Sequence, residues 1–167
     1  MNNQRTRNKT HTTITALPVC GMPIIEVGSD LVNLLFESFN PNKLEDGDVI
    51  VFCQTVVAKA EGRAFILKHI TPSELAETIA RNQGKDARFV EVVLRNSVRL
   101  VRSTPSSLIC ETPQGCICAN AGCDTTNTKP DTVVAHPEDP NKSAARLRAQ
   151  VLSCLLYTSP SPRDKTV

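Results

Sequence analysis

Between residues 71 and 120 the chain carries two helix-length apolar repeats, each with capping residues in front of it, followed at once by a strand-turn-strand segment. That order restricts the fold most. Helices and antiparallel strands must share a core, and no strict βαβ alternation can be written along the chain. The first repeat opens at Thr71-Pro72-Ser73-Glu74 and ends near Gly84. It reads as a cap at Thr71, proline in the first helical position and Glu74 closing a capping box. Asp86 caps the second repeat, whose apolar side carries Phe89, Val90, Val93 and Leu94. Residues 100–102 and 108–112 are strand-like, and Pro113-Gln114-Gly115 turns the chain into residues 116–120 to form a hairpin.

The flanking segments extend this pattern. Residues 12–19 are β-branched and end at Pro18, which predicts a first strand. Asp30 caps a helix running to about Phe39, with Leu31, Leu34, Leu35 and Phe39 at helical spacing. A turn over residues 44–48 leads into residues 49–53, a continuous apolar run of strand length. Such a run predicts a buried central strand. Another helix begins near Pro140. The predicted class is α+β, or irregular α/β, with a mixed sheet and flanking helices.

Composition narrows the function classes. The chain has 167 residues, enough for one domain with a real core. A net charge of +2, scarce aromatics and no Trp argue against a nucleic-acid platform. No apolar run reaches the ~18 residues of a membrane span. Residues 1–19 hold no stretch with the apolar length of a secretion signal, which predicts a cytoplasmic protein. Arg5, Arg7 and Lys9 sit among Asn and Thr, so residues 1–11 read as a disordered terminus. Seven cysteines, an odd number, read as reduced thiols. Cys110, Cys116, Cys118 and Cys123 lack the paired spacing of a structural zinc site. His11, His69 and His136 are dispersed.

Residues 154–164 read Cys-Leu-Leu-Tyr-Thr-Ser-Pro-Ser-Pro-Arg-Asp. Codon for codon, this is one reading frame of a transposase-type sequencing adapter. Residues 153–167 are therefore expected to be a non-native tail that interrupts the last helix, and residues 12–152 the native domain. A natural Pro-rich linker is the alternative.

Three polar or Gly-rich segments are expected as loops next to apolar elements, where functional groups concentrate. Residues 21–25 form either a structural turn or a site-lining loop. In residues 54–63, Lys59 is either a solvated lysine or a point charge for a phosphate. No P-loop pattern is present. In residues 120–127, Asp124 suits Mg2+ or Mn2+ as a hard oxygen ligand and Asn127 can hydrogen-bond a nucleotide. The alternative there is an Asx-rich turn bonded to its own backbone.

Together these segments resemble the coenzyme F420-0:γ-glutamyl ligase family. The similar stretches are Gly21-Met-Pro-Ile-Ile25, Asp46-Gly-Asp-Val49 with Val56-Val-Ala-Lys-Ala-Glu-Gly-Arg63, and Pro72-Ser-Glu-Leu-Ala76. They continue with Cys118-Ala-Asn-Ala-Gly-Cys-Asp-Thr-Thr-Asn127, and with Pro137-Glu-Asp-Pro140 before Ser143-Ala-Ala-Arg-Leu-Arg148. The resemblance covers residues 17 to 152.

It implies GTP-dependent joining of L-glutamate to the terminal carboxylate of F420-0 through an acyl phosphate. It also implies Mg2+ or Mn2+, with K+ a further candidate ion, and a two-part fold paired into an intertwined homodimer. By the same resemblance, Met22, Pro23, Ile24 and Ile25 line the GTP site. Gln54, Lys59 and Asn127 contact the nucleotide, and Asp124 is a metal ligand. Ala58 stands where Ser is frequent, and Cys123 and Thr125 replace apolar and Ala residues. The family's further metal ligands and a second nucleotide-binding stretch are expected beyond the last helix. The 167-residue chain alone is therefore expected to be an inactive, poorly folded fragment. A non-catalytic nucleotide- or metal-binding module, and a γ-glutamyl ligase for a folate-like carboxylate, are the competing readings.

Overall fold

The structure is a computed structural model that describes residues 14–45 and 47–158. Helix α1 (Leu31–Ser38) is capped by Asp30, whose carboxylate accepts from the N–H groups of Val32 and Asn33. Two first-turn donors that lack helical partners are thereby satisfied. Helix α2 (Gln54–Ala60) leads through a turn into strand β1 (Ala64–Ile66). Helices α3 (Glu74–Gln83) and α4 (Ala87–Arg95) follow, then strands β2 (Arg99–Thr104), β3 (Ser107–Glu111) and β4 (Ile117–Ala119). Strand β5 (Thr132–Val134) and the long helix α5 (Pro140–Thr158) complete the order.

The α+β class expected from the sequence forms. A single mixed sheet does not form among the described residues, where the strands fall into two antiparallel sheets, β1–β5 and β2–β3–β4. In the first, Ala64 faces Val134 and Ile66 faces Thr132. The second contains the expected hairpin, β3 paired with β4, and adds β2 on the other side of β3.

Two apolar clusters hold these elements. One gathers Ile79 and Ala80 of α3, Val90 and Val93 of α4, Leu108 of β3 and Val133 of β5. The other joins Leu31 and Val32 of α1, Val57 of α2 and Leu147 of α5. Glu61, just after α2, fastens α5 by accepting from Ser143 Oγ at 2.6 Å and Arg146 at 2.7 Å.

Four local expectations are corrected. Residues 14–19 form no strand, and residues 12 and 13 lie outside the described residues. Residues 49–53 form no strand either; Val49 is 83% and Val51 84% exposed. Residues 54–60 are helix and not loop. The cap of α3 is Ser73, whose hydroxyl accepts from Ala76 N–H, so Pro72 precedes the helix and Thr71 caps nothing. The capping box is replaced as well: Ser73 N–H donates to Glu91 of α4 at 2.9 Å, because the third residue after this cap is Ala76, which has no carboxylate to reach back. Gly84 does end α3, in a left-handed conformation (φ 62°) that glycine adopts without a Cβ penalty. Helix α5 continues across residue 153, while residues 1–11 and 159–167 of the two expected terminal segments lie outside the described residues. No described helix is long and apolar enough to cross a membrane.

Candidate functional site

Strand β5 organises the candidate site. On one side Val134 pairs with Ala64 of β1, the strand that follows α2. On its other side Val134 exchanges backbone hydrogen bonds with Asp124, at 2.9 and 2.8 Å. The end of α2 and the 120–127 segment are thereby placed at one corner of a two-stranded sheet. Lys59, in the last turn of α2, donates its ammonium to the backbone carbonyl of Asn127.

The backbone of this segment is unusual. Asn120, Ala121 and Gly122 are consecutive residues with φ of 52°, 50° and 70°, and Asn127 has φ 51°. Non-glycine residues in the left-handed region are uncommon and persist where surroundings hold them, often at functional sites. Here the surroundings are specific: Ala121 is fully buried and Asn120 Oδ1 accepts from Lys85 Nζ at 3.0 Å.

Asp124 is partly exposed. Its Oδ2 accepts from the Thr126 hydroxyl at 2.6 Å and its Oδ1 from Thr126 N–H at 2.9 Å. Those two bonds, with smaller help from Thr125 N–H and the Lys59 charge, hold its carboxyl below the usual carboxylate range. The group is ionised at neutral pH, and each oxygen keeps a second lone pair. Among the described residues no three His, Cys, Asp or Glu side chains gather as a metal cluster. Asp124 thus fits one oxygen ligand of a hard divalent ion that takes its other ligands from phosphates, waters or other segments. The Asx-turn reading of this segment is also realised, since the same carboxylate closes its own turn on Thr126.

The remaining expected site residues are spread around this corner. Gln54 lies at the other end of α2, about 7.5 Å along the axis from Lys59 and on a different side. Its amide donates to Ala135 O at 3.1 Å, and it lines an open cavity of about 610 Å3 between residues 48–52 and α5. In the 22–25 loop, Met22 and Ile25 are partly buried, Pro23 is exposed and Ile24 is 82% exposed. Ile25 packs on the α1–α2–α5 cluster. Just beyond it, Gly28 N–H donates to Ala60 O at 2.8 Å and Glu26 pairs with Lys129 at 3.3 Å. The loop therefore borders both the end of α2 and the segment after Asn127.

The structure also shows residues that sequence reasoning passed over. Thr126 fixes the Asp124 carboxylate. Arg63 bridges β1 to the rest of the corner, donating to His136 O at 3.0 Å and Asn96 Oδ1 at 2.6 Å. Its guanidinium also lies over the Phe65 ring, 5.5 Å from the centroid. Thr126 and Arg63 both stand in the stretches that carry the family resemblance, and Gly122, whose missing side chain admits His136, lies in one of them. Cys110 and Cys123 are buried and free, and burial pushes the Cys123 thiol up to about 12.

Comparison with known proteins is decisive for the family. Residues 20–156 match the sequence model of the family described as F420-0:Gamma-glutamyl ligase. The chain belongs to the F420-0:γ-glutamyl ligase family. It is similar to a protein of Methanopyrus kandleri named coenzyme F420:L-glutamate ligase, 45% identical over 76% of this chain and 49% of the relative. A protein of the same name from Archaeoglobus fulgidus is 40% identical over 83% of this chain and 54% of the relative. A third, from Methanothermobacter thermautotrophicus, is 38% identical over 80% and 54%. The chain spans about half the length of these curated relatives. The F420-0:γ-glutamyl ligase match includes every residue assigned above to the candidate site, from Met22 to Asn127.

Proposed function

We propose that this chain forms part of a ligase that joins L-glutamate to the terminal carboxylate of F420-0, using GTP to activate the acid. The family match over residues 20–156 carries the reading. The meeting of Lys59, Asn127 and Asp124 at one sheet corner supports a mechanism for it.

A carboxylate is a poor electrophile, so amide formation needs an activated acid. In the proposed reaction a carboxylate oxygen of F420-0 attacks the γ-phosphorus of GTP, the bond to the β-γ bridging oxygen breaks, and GDP leaves. The amine of glutamate then attacks the acyl carbon. The carbon–oxygen bond breaks, phosphate departs with the transferred oxygen, and the nitrogen loses a proton.

This chain's residues serve binding and orientation. Lys59 offers a positive point charge to phosphate oxygens. The 22–25 loop supplies apolar surface beside α2, and Gln54 and Asn127 supply amide groups. Asp124, ionised and oriented by Thr126, would hold a divalent ion. Bound Mg2+ or Mn2+ neutralises phosphate oxygens that otherwise repel the incoming carboxylate. K+ as a further ion and a homodimeric complete protein belong to the same proposal.

Because the chain spans half its relatives' length, the test uses a chimera in which its matched residues replace those of the full-length Methanopyrus kandleri relative. The chimera is incubated with F420-0, L-glutamate, GTP and Mn2+, and the products are weighed. Expected are F420-0 heavier by one glutamyl unit and stoichiometric GDP and phosphate. Unchanged F420-0 with intact GTP contradicts the proposal. Glutamylation of a folate-like acid in place of F420-0 would move the substrate elsewhere.

A further inference from the structure

Arg63 and its surroundings enclose a second cavity of about 370 Å3, at the lower end of the roughly 300–1,000 Å3 of small-molecule sites. It lies away from the nucleotide corner. Ala135 N–H donates to Arg63 O at 3.0 Å, so Arg63 is level with Ala135, while Asp124 is level with Val134. Neighbouring strand positions point to opposite faces, so Arg63 and Asp124 stand on opposite faces of the β1–β5 sheet. The packing agrees: Phe65, two residues after Arg63, packs on the α3–α4 cluster together with Val133 and Ala135.

Several polar groups lining this cavity have bonding capacity unused among the described residues. Arg63 spends Nε on His136 O and one N–H of Nη2 on Asn96, which leaves Nη1 free. Burial holds the His136 imidazole below its ordinary value, so it is neutral at neutral pH, and neither ring nitrogen has a partner. Thr112 is 2% exposed; its hydroxyl oxygen accepts from Cys116 N–H at 3.2 Å, but its own O–H finds no acceptor. A buried donor left unmade is costly. At the rim, the exposed Glu138 carboxylate has no partner, while its backbone carbonyl is held by the Gln114 amide at 2.7 Å. Arg95 donates from Nε to Glu91 and from Nη2 to Thr71 O, and keeps Nη1. Its charge is already shared with Glu91, so it is the weaker cationic anchor.

We propose that this cavity binds a free acidic amino acid, with its α-carboxylate on Arg63, its ammonium on Glu138 and its side-chain carboxylate on Arg95. The free Nη1 and the second N–H of Nη2 of Arg63 form an edge that suits a bidentate carboxylate. Thr112 O–H and the His136 ring add neutral bonding groups beside it. A simple anion would meet the unpaired Glu138 charge, and a simple cation would meet two guanidinium groups. A ligand carrying both signs satisfies all three. Ala121 is part of the wall, three residues before Asp124, so an occupant braces the left-handed 120–122 run from the face opposite the nucleotide corner. The choice of L-glutamate among acidic amino acids rests on the proposed function, since the relatives' names include it. The site itself rests on the charges alone.

Calorimetry without nucleotide tests it, with L-glutamate, L-glutamine and glutarate titrated into the chimera and into the 167-residue chain. L-Glutamate is expected to bind with a dissociation constant of about 1 mM or lower. L-Glutamine, which lacks the second carboxylate, and glutarate, which lacks the ammonium, should bind at least about tenfold more weakly. Glu138→Gln changes an exposed side chain without bonds, so the fold is spared. It should weaken L-glutamate at least about tenfold and leave glutarate unchanged, which separates this cavity from any other glutamate site. Glutarate binding as tightly as L-glutamate overturns the proposal, because the cavity then reads anions alone. So does a Glu138→Gln variant with unaltered affinity, or L-glutamate binding to neither protein. Each of those results leaves the ligase proposal standing, since that is judged by the mass of its product.

Discussion

Gly122 and His136 are in such close contact that a Cβ built on Gly122 would lie 1.7 Å from His136 Nε2. Gly122 also has φ 70°, so two separate constraints demand glycine there. Gly122→Ala is expected to destabilise the chain by about 1–3 kcal/mol, read as a lower urea midpoint. The double variant Gly122→Ala, His136→Ala should recover about 1 kcal/mol of that loss, because only the steric part is relieved. Strict additivity of the two single variants would show that the contact is not made.

The caps of α3 give a clean contrast between neighbours. Ser73→Ala removes the acceptor for Ala76 N–H and the hydroxyl bond to Glu91, and should cost about 1–2 kcal/mol. Thr71→Ala should change stability by less than about 0.5 kcal/mol. Equal losses in chemical denaturation would restore Thr71 as the cap.

Glu91 is a buried carboxylate that accepts from Ser73 N–H, Ser73 Oγ and Arg95 Nε. Burial raises its pKa, but the Ser73 and Arg95 bonds outweigh burial and hold it below its ordinary value of 4.5. A depressed folded pKa means that the unfolded chain takes up the proton first. The stability from Glu91 is therefore complete above about pH 4.5 and lost as pH falls through the lower folded value. Asp86, lowered chiefly by its bond to Arg88, acts in the same direction. Glu91→Gln should flatten the loss of stability below pH 4.5 and lower the stability at neutral pH by roughly 1–3 kcal/mol. An unchanged acid slope would contradict this role.

Lys59 touches the corner by one bond to a carbonyl and is only partly buried, so its removal should spare the fold. In the chimera, Lys59→Met is expected to weaken GTP binding about tenfold by calorimetry, with thermal stability nearly unchanged. Lys59→Arg should not restore it fully, since a planar fork does not replace a compact ammonium. Unaltered affinity would return Lys59 to the class of solvated lysines.

What the sequence made legible follows from where each signal was local. Asp30, Asp86 and Gly84 mark helix ends through bonds or conformations of their immediate neighbours, and all three act as expected. The hairpin of β3 and β4 was visible because Pro113-Gln114-Gly115 separates two strand-like runs, whereas the pairing of β2 with β3 was not read from the sequence. Misreadings arose where distant partners decide. Ser73 outcompetes Thr71 because Glu91, 18 residues onward, accepts its N–H and hydroxyl. Residues 54–60 carry β-branched Thr55, Val56 and Val57, which hide a short helix held by burial of Val57 and Ala58. For the site, the motif text placed Asp124 and Asn127 in one segment and Lys59 in another. Only the pairing of β5 with β1 and with Asp124 shows why they meet.

In the proposed ligase, Asp124 helps a divalent ion hold the phosphates of a nucleotide. The most direct measurement of that role is GTP affinity of the chimera with and without Mn2+, for the unaltered protein and for Asp124→Asn. Mn2+ is expected to tighten GTP binding in the unaltered protein, and the variant to lose at least about tenfold of that gain while binding metal-free GTP as before. An equal Mn2+ effect in both proteins would contradict it.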